Sequence, residues 1–488
     1  MTLVESKQAP EWIVETFVDG KFVAGDGEVV EVPNPATEEQ LAQIASSSVA
    51  QVDEAIAAAR RAFFEGPWPR MSGAERGRLL HAFADRIEAM HDELTAAMVT
   101  EVGSPLGLAE TLQSALPVQV LRTYADLAAK DRTEDLGAVT QPIPSKSIVA
   151  YRPTGVVGIV TAYNYPLLLA VRTMGGALAA GCTTVVLPSL RTPLSTLLLA
   201  RAAAEAGIPE GVLNVVVGGP DAGRRISTHP DVAKVAFTGS LEVGRLIMAQ
   251  AAEGVKGITL ELGGKSPTLV LPGYDTRPVV RELHARYLRN AGQGCAAATR
   301  ILVPRDTYDD FCDQSRAAFE EIRTGDPWDR DTIVGPLIRP EQRAKVEGHV
   351  QQALDQGAEV VAGGGRPDGP GWFMNALLLG GIDNGWDIAR TELFGPVGVV
   401  LPYDDVEHGI ELANDSAFGL AANVFAPDVE DALAVSARLQ AGSVYVNGGG
   451  GFRPDAPFGG FKASGIGREY GEWGIREFLE AQHIQWPL

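Results

Sequence analysis

Between residues 155 and 253 the chain keeps switching its hydrophobic period, and that alternation restricts the possible folds more than any other feature. "GVVGIVTAY" is an apolar run of strand length. "TMGGALAAGCTTVVLPS" reads as a helix closing at Gly181 and then a second strand. "LLLARAAAEAGIP" leads to "GVLNVVVG", and "DVAKVAFTGS" leads to "LEVGRLIMAQAAE". Runs apolar on both faces, joined by helices, are the texture of βαβ units and a parallel sheet covered on both sides. Upstream, "SVAQVDEAIAAARRAFFE" has the three- and four-residue spacing of an amphipathic helix behind a polar entry. The rhythm returns after Thr299 in "RILVP", "YDDFCDQSRAAFEEI" and "QRAKVEGHVQQALDQGAEVVAG". A single core stops growing at roughly 250–300 residues. A chain of 488 residues is therefore expected to form two doubly wound α/β domains.

Two segments stand outside that rhythm. "GAVTQPIPSKSIVAYRP" mixes prolines with β-formers and reads as an exposed hairpin, while the tail "EFLEAQHIQWPL" is short and strand-like. They read either as two edge strands or as a small β arm that pairs between subunits of an oligomer.

Composition removes several function classes. A net charge of -21 opposes binding to nucleic acid or to an anionic membrane. The three cysteines, Cys182, Cys295 and Cys312, form neither a disulfide framework nor a CxxC metal pair, so a reducing cytoplasm is expected and no metal is. "MTLVESKQAPEW" lacks the apolar core of a secretory signal, and the apolar run near "YNYPLLLAV" is broken by Arg172 before it could span a bilayer.

Chemistry is signalled first by "NAGQGCAAATR". Cys295 follows Gly294 and precedes three alanines, which leaves room beside its sulfur. A structural cysteine more often sits among Leu, Val and Ile. The glycine-rich stretches divide the cofactor possibilities. "ELGGKSP" is not a phosphate-binding P-loop, because the position five before Gly264 is Thr259 and not glycine. "GGPDAG" lacks GxGxxG spacing. "FTGSLEVG" does follow a strand and open a helix, where backbone N–H groups and Ser240 could hold a pyrophosphate. Glu261, in "LELGGKSP", sits in an apolar setting that would raise its pKa.

"AYNYP", "LELGGKSP", "NAGQGC", "TELFGPV" and "PFGGFKASGIGRE" occur in that order. With them the chain resembles the NAD(P)-dependent aldehyde dehydrogenase superfamily from "NPATEE" at Asn34 to the tail. The resemblance implies oxidation of an aldehyde to a carboxylic acid, with hydride transfer to NAD or NADP. It makes Cys295 the nucleophile that forms a thiohemiacetal and then a thioester. Asn164 would donate to the oxyanion alongside the Cys295 backbone N–H. Glu261 would be the base that activates water against the thioester. It also implies that Glu392, with Phe394 beside it, orients the nicotinamide ribose, and that Thr161, Gly219, Gly239, Ser240 and Leu262 make further cofactor contacts. The implied division is a cofactor-binding domain at 1–128 and 149–257 and a catalytic domain at 258–440. An oligomerisation arm takes 129–148 and 470–488, and 441–469 closes the active site. The implied assembly is a homodimer or homotetramer. A CoA-acylating relative and a non-catalytic binding protein of the same fold are the alternatives, and retention of Glu261 speaks against the first.

The chain departs from that family's pattern in one place. Members usually carry Lys-Pro-Ser/Ala-Glu after the second strand, where Lys and Glu bind the adenine-ribose hydroxyls; this chain reads Leu187-Pro188-Ser189-Leu190. Losing the Glu removes a repulsion of the 2′-phosphate, and Arg191 lies next door. Three arginines suggest the substrate. Arg172 and Arg289 stand where relatives acting on succinic semialdehyde carry arginines, and Arg453 could add charge at the entrance. A forked guanidinium suits a carboxylate. The alternatives are structural ion pairs and an aromatic or aliphatic aldehyde.

Overall fold

The structure, a computed structural model, describes residues 2–449 and 453–488. Two sheets carry it. The first has eight strands, in the order Lys21–Val23, Thr16–Val18, Leu213–Val215, Thr183–Leu187, Val156–Val160, Val232–Thr238, Gly257–Glu261 and Gly465–Ile466. Its middle strands, from Leu213–Val215 to Gly257–Glu261, are parallel, and its two edges are closed by antiparallel strands. The second has seven strands, with only Glu359–Gly363 antiparallel. The double-sheet α/β reading of the sequence is thus the observed fold, and each sheet has its own large apolar core.

The helix Pro166–Ala180 shows how the sequence builds the interior. Proline starts it, where a missing N–H costs nothing, and Gly181 ends it at φ 99°. Every residue between is buried, which is why the run is apolar all round. Arg172 sits in that helix and must find a partner inside the protein.

The hairpin and the tail meet within one chain. The tail strand Leu479–Pro487 pairs antiparallel with Ser145–Pro153 of its own chain over nine residues, and Glu134–Val139 pairs on the other side. Both edges of this three-stranded sheet stay open, with Leu136, Val139 and Trp486 exposed. One edge of the tail strand is thus paired within the chain, and its other edge stays open. The strand Gly257–Glu261 belongs to the first sheet, and the chain enters the second sheet at Pro267–Val270. No helix among the described residues is long and apolar enough to cross a membrane.

Candidate active site

In the first sheet, chain order runs one way from Val156–Val160 and the other way from Val232–Thr238. Ligands of open α/β sheets bind where the order reverses, beyond the carboxyl ends of the strands. The loop after the first of these strands carries Thr161 and Asn164, and the turn after the second carries Gly239 and Ser240. Glu261 ends the next strand, and only five residues separate it from the first residue of Pro267–Val270 in the second sheet. Cys295 lies in the loop ahead of Arg300–Pro304, the neighbour of that strand. The carboxyl ends of one sheet therefore meet the amino ends of the other at the candidate residues.

Two glycines let these segments touch. A Cβ at Gly263 would lie 2.1 Å from a Glu392 oxygen, and one at Gly264 would lie 2.3 Å from the Cys295 carbonyl oxygen. Gly264 also donates its N–H to Glu392 Oε1 at 3.1 Å. The "GGKSP" glycines thus serve close approach and not a phosphate loop.

Cys295 is half-buried and lines a cavity of ≈100 Å³ with Asn164, Tyr165, Leu168, Leu169, Arg172, Arg289 and Phe458. One side-chain N–H of Asn164 is anchored on the Gln293 carbonyl at 2.9 Å. An amide carries two N–H donors, so the second is left for a ligand. Glu261 is 2% exposed, and neither of its oxygens has a hydrogen-bond partner among the described residues. Buried polar groups are nearly always satisfied, so an orphaned carboxyl calls for a functional reason.

Electrostatics follow from that burial. Burial pushes the Cys295 thiol up to about 12, Arg172 pulls it back, and Glu261 and Glu392 reinforce the rise. Burial likewise holds Glu261 well above the usual carboxylate range, with Arg172 opposing and Glu469 adding to it. Glu392 is pushed to about 7 by burial against the Gly264 N–H and Lys265. Lys265 itself, buried without a hydrogen-bond partner among the described residues, is lowered to about 7 by that burial.

The remaining cofactor candidates border the same switch point. Thr161 donates its N–H to the Leu187 carbonyl at 3.1 Å, while its buried hydroxyl has no partner among the described residues. Gly239 donates to the Glu261 carbonyl at 3.0 Å, and a Cβ there would sit 2.3 Å from the Phe237 ring. Ser240 caps the helix Leu241–Glu253 by accepting from Val243 N. Leu262 is buried under that helix against Gly244. Gly219 stands at the start of Pro220–Thr228 with no side-chain cap. Phe394, at φ 57°, sets its ring edge-on to Tyr163 with centroids 5.8 Å apart. Leu187 is 3% exposed, and Leu190 approaches Gly219.

Comparison with known proteins agrees with this geometry. The model of the Aldehyde dehydrogenase family matches residues 22–484. A putative aldehyde dehydrogenase, DhaS, of Bacillus subtilis is 39% identical over 474 residues, 96% of this chain and 94% of that protein. An aldehyde dehydrogenase of Bacillus cereus, solved with NAD+, superposes with TM-score 0.94 at 36% identity, covering 97% of this chain and 96% of that one. A mutant of aldehyde dehydrogenase C of Pseudomonas syringae, solved with NAD+ and octanal, superposes with TM-score 0.92 at 36% identity, covering 97% of each chain.

The chain belongs to the aldehyde dehydrogenase family. It is an oxidoreductase, which removes the reading as a non-catalytic binding protein.

Within this aldehyde dehydrogenase the three arginines have different surroundings. Arg172 is 4% exposed and holds Glu469 at 2.5 Å, with Thr238 at 3.3 Å and the Phe458 ring beneath it. Glu469 also accepts from Thr173. A buried guanidinium cannot stay unpaired, and this carboxylate neutralises it. Arg453 is exposed and forked onto Asp455. Arg289 alone lines the cavity without a carboxylate partner among the described residues. Arg286, which the sequence did not single out, also lines it but is tied to Glu282 at 2.6 Å. Glu469 was missed too. Its signal was an acid ending the glycine-dense stretch "PFGGFKASGIGRE".

Proposed function

We propose that this aldehyde dehydrogenase oxidises its substrate to a carboxylic acid through Cys295, Asn164 and Glu261, with NAD or NADP as acceptor. The observation that carries this reading is the meeting of a half-buried thiol, a spare amide N–H and an unpaired buried carboxyl at the junction of the two sheets. Burial holds the thiol protonated at rest and the Arg172 charge opposes that, so the thiol proton leaves through water to the solvent as the sulfur engages the substrate. Cys295 Sγ bonds the carbonyl carbon. The oxygen's growing charge meets the second N–H of Asn164 and the N–H of Cys295. Bound nicotinamide supplies the acceptor for the hydride that leaves the carbon. Glu261 then takes a proton from water as it attacks the thioester. The acid departs and the thiol is restored.

The residues around the switch point fit a dinucleotide. Gly219 and Gly239 give backbone access, the Thr161 hydroxyl is free, and Glu392 is held one hydrogen bond from release. Leucine at 187 and 190 supports acceptance of NADP as well as NAD. The assembly is a homodimer or homotetramer joined through the open edges of the arm.

For the substrate, the apolar lining from Leu168, Leu169 and Phe458 with Arg289 at its margin supports an aldehyde carrying a carboxylate at its far end. The apolar lining itself supports the second reading, an aliphatic aldehyde. An aldehyde panel with each cofactor separates them. A single charge-assisted hydrogen bond is worth about 1.5–3 kcal/mol, so Arg289→Leu is expected to raise KM for carboxylated aldehydes by more than tenfold and leave neutral ones alone. Equal effects on both would remove the carboxylate preference.

A further inference from the structure

The left-handed backbone at Asn290, φ 52° and ψ 42°, is costly for most residues and tolerable for asparagine. Its side chain is buried, 2% exposed, and lies between the two loops that carry the oxyanion donors. Nδ2 donates to the backbone carbonyl of Asn164 at 2.9 Å. Oδ1 accepts from the hydroxyl of Ser104 at 2.8 Å, and Ser104 in turn accepts from the Gln113 amide. A carbonyl can only accept, and a hydroxyl that accepts from an amide has its proton free to give, so the amide of Asn290 has one orientation. The Asn290 carbonyl accepts from both the backbone and the side chain of Gln293, at 3.0 and 3.1 Å. Gln293 then closes the circuit, since its own carbonyl holds the Asn164 amide. All five residues are at most 3% exposed.

We infer that Asn290 is a positioning residue for oxyanion stabilisation: it ties the Asn164 backbone to the loop of Cys295 and so fixes the separation of the two donors. The inference rests on the reading of Asn164 as an oxyanion donor. It explains why asparagine stands here: glycine would take the backbone angles without the amide, and alanine, which takes the same angles at the next position, Ala291, would lack the amide too. A misplacement of about 1 Å at a reacting centre costs up to ~100-fold in rate.

The test is a double-mutant cycle on the full enzyme, because residues that act through one another are not additive. Asn290→Gly and Ser104→Ala are made in the parent and in Asn164→Ala, and single-turnover NADH formation is measured at saturating NAD, with thermal midpoints alongside. The expected result is a loss of about tenfold or more for Asn290→Gly in the parent and under about twofold in Asn164→Ala. Ser104→Ala follows the same pattern with a smaller loss and decides alone if Asn290→Gly does not fold. Equal fold-losses in both backgrounds, or no loss in the parent, overturn the inference while Asn164→Ala remains slow. An Asn164→Ala enzyme as fast as the parent overturns the oxyanion reading and this inference with it.

Discussion

Around Cys295 the polar side chains are buried and tied across elements: Asn164 to Gln293, Asn290 to Asn164, Arg172 to Glu469. At the corner after Thr183–Leu187 the same first sheet presents leucines, with Leu187 packed into a core beside Ala222 and Ile226. One region fixes donors and charges at set positions; the other has exchanged charged partners for apolar packing. Chemistry tolerates little displacement, whereas the grip on a ribose can be weakened by a few kcal/mol without touching the bond being broken. Burying a leucine contributes about 1.5–3 kcal/mol, so the corner gains stability where it loses recognition.

Cys295→Ala should break the first region outright. No thiohemiacetal can form, and turnover should fall to background with any aldehyde, while cofactor titration is unchanged. Steady NADH production by that variant would take the nucleophile's role from Cys295.

The pH profile sharpens the same side by less. A carboxyl raised by burial is protonated, and idle as a base, below its shifted pKa; turnover should therefore climb with pH through that value and level off above it. Arg172 opposes the rise. Arg172→Met should move the acid limb upward by about one unit or more, one unit being about 1.4 kcal/mol. A limb that stays in place would show that Arg172 does not govern Glu261.

The smallest effect belongs to the leucine corner. Leu187→Lys with Leu190→Glu should tighten NAD and shift preference toward it, at charge-assisted bonds of about 1.5–3 kcal/mol each before compensation by water. The same variant should lose thermal stability, since Leu187 is core. A parent enzyme that already excludes NADP strongly would contradict the comparison.

Much of this was legible beforehand, for physical reasons. Period in the apolar residues sets the sheet type, and small neighbours around Cys295 set its access. The arm strands could be read, but not their partner, because an exposed apolar edge does not say which chain covers it. The arginines could not be told apart in the same way: a guanidinium reads identically whether it faces a ligand or Glu469, far along the chain. Asn290 was invisible because its role depends on left-handed backbone angles and on Ser104, which no local pattern displays.

The central claim is that one residue, Cys295, carries oxidation and another, Glu261, only releases the product. Rapid mixing of Glu261→Gln with saturating NAD and aldehyde tests it most directly, with NADH followed through the first turnover. The account predicts a burst of one NADH per active site at near-parental amplitude, then turnover slowed by about 100-fold or more, as loss of a general base requires. A burst missing altogether, or a steady rate equal to the parent's, would contradict it.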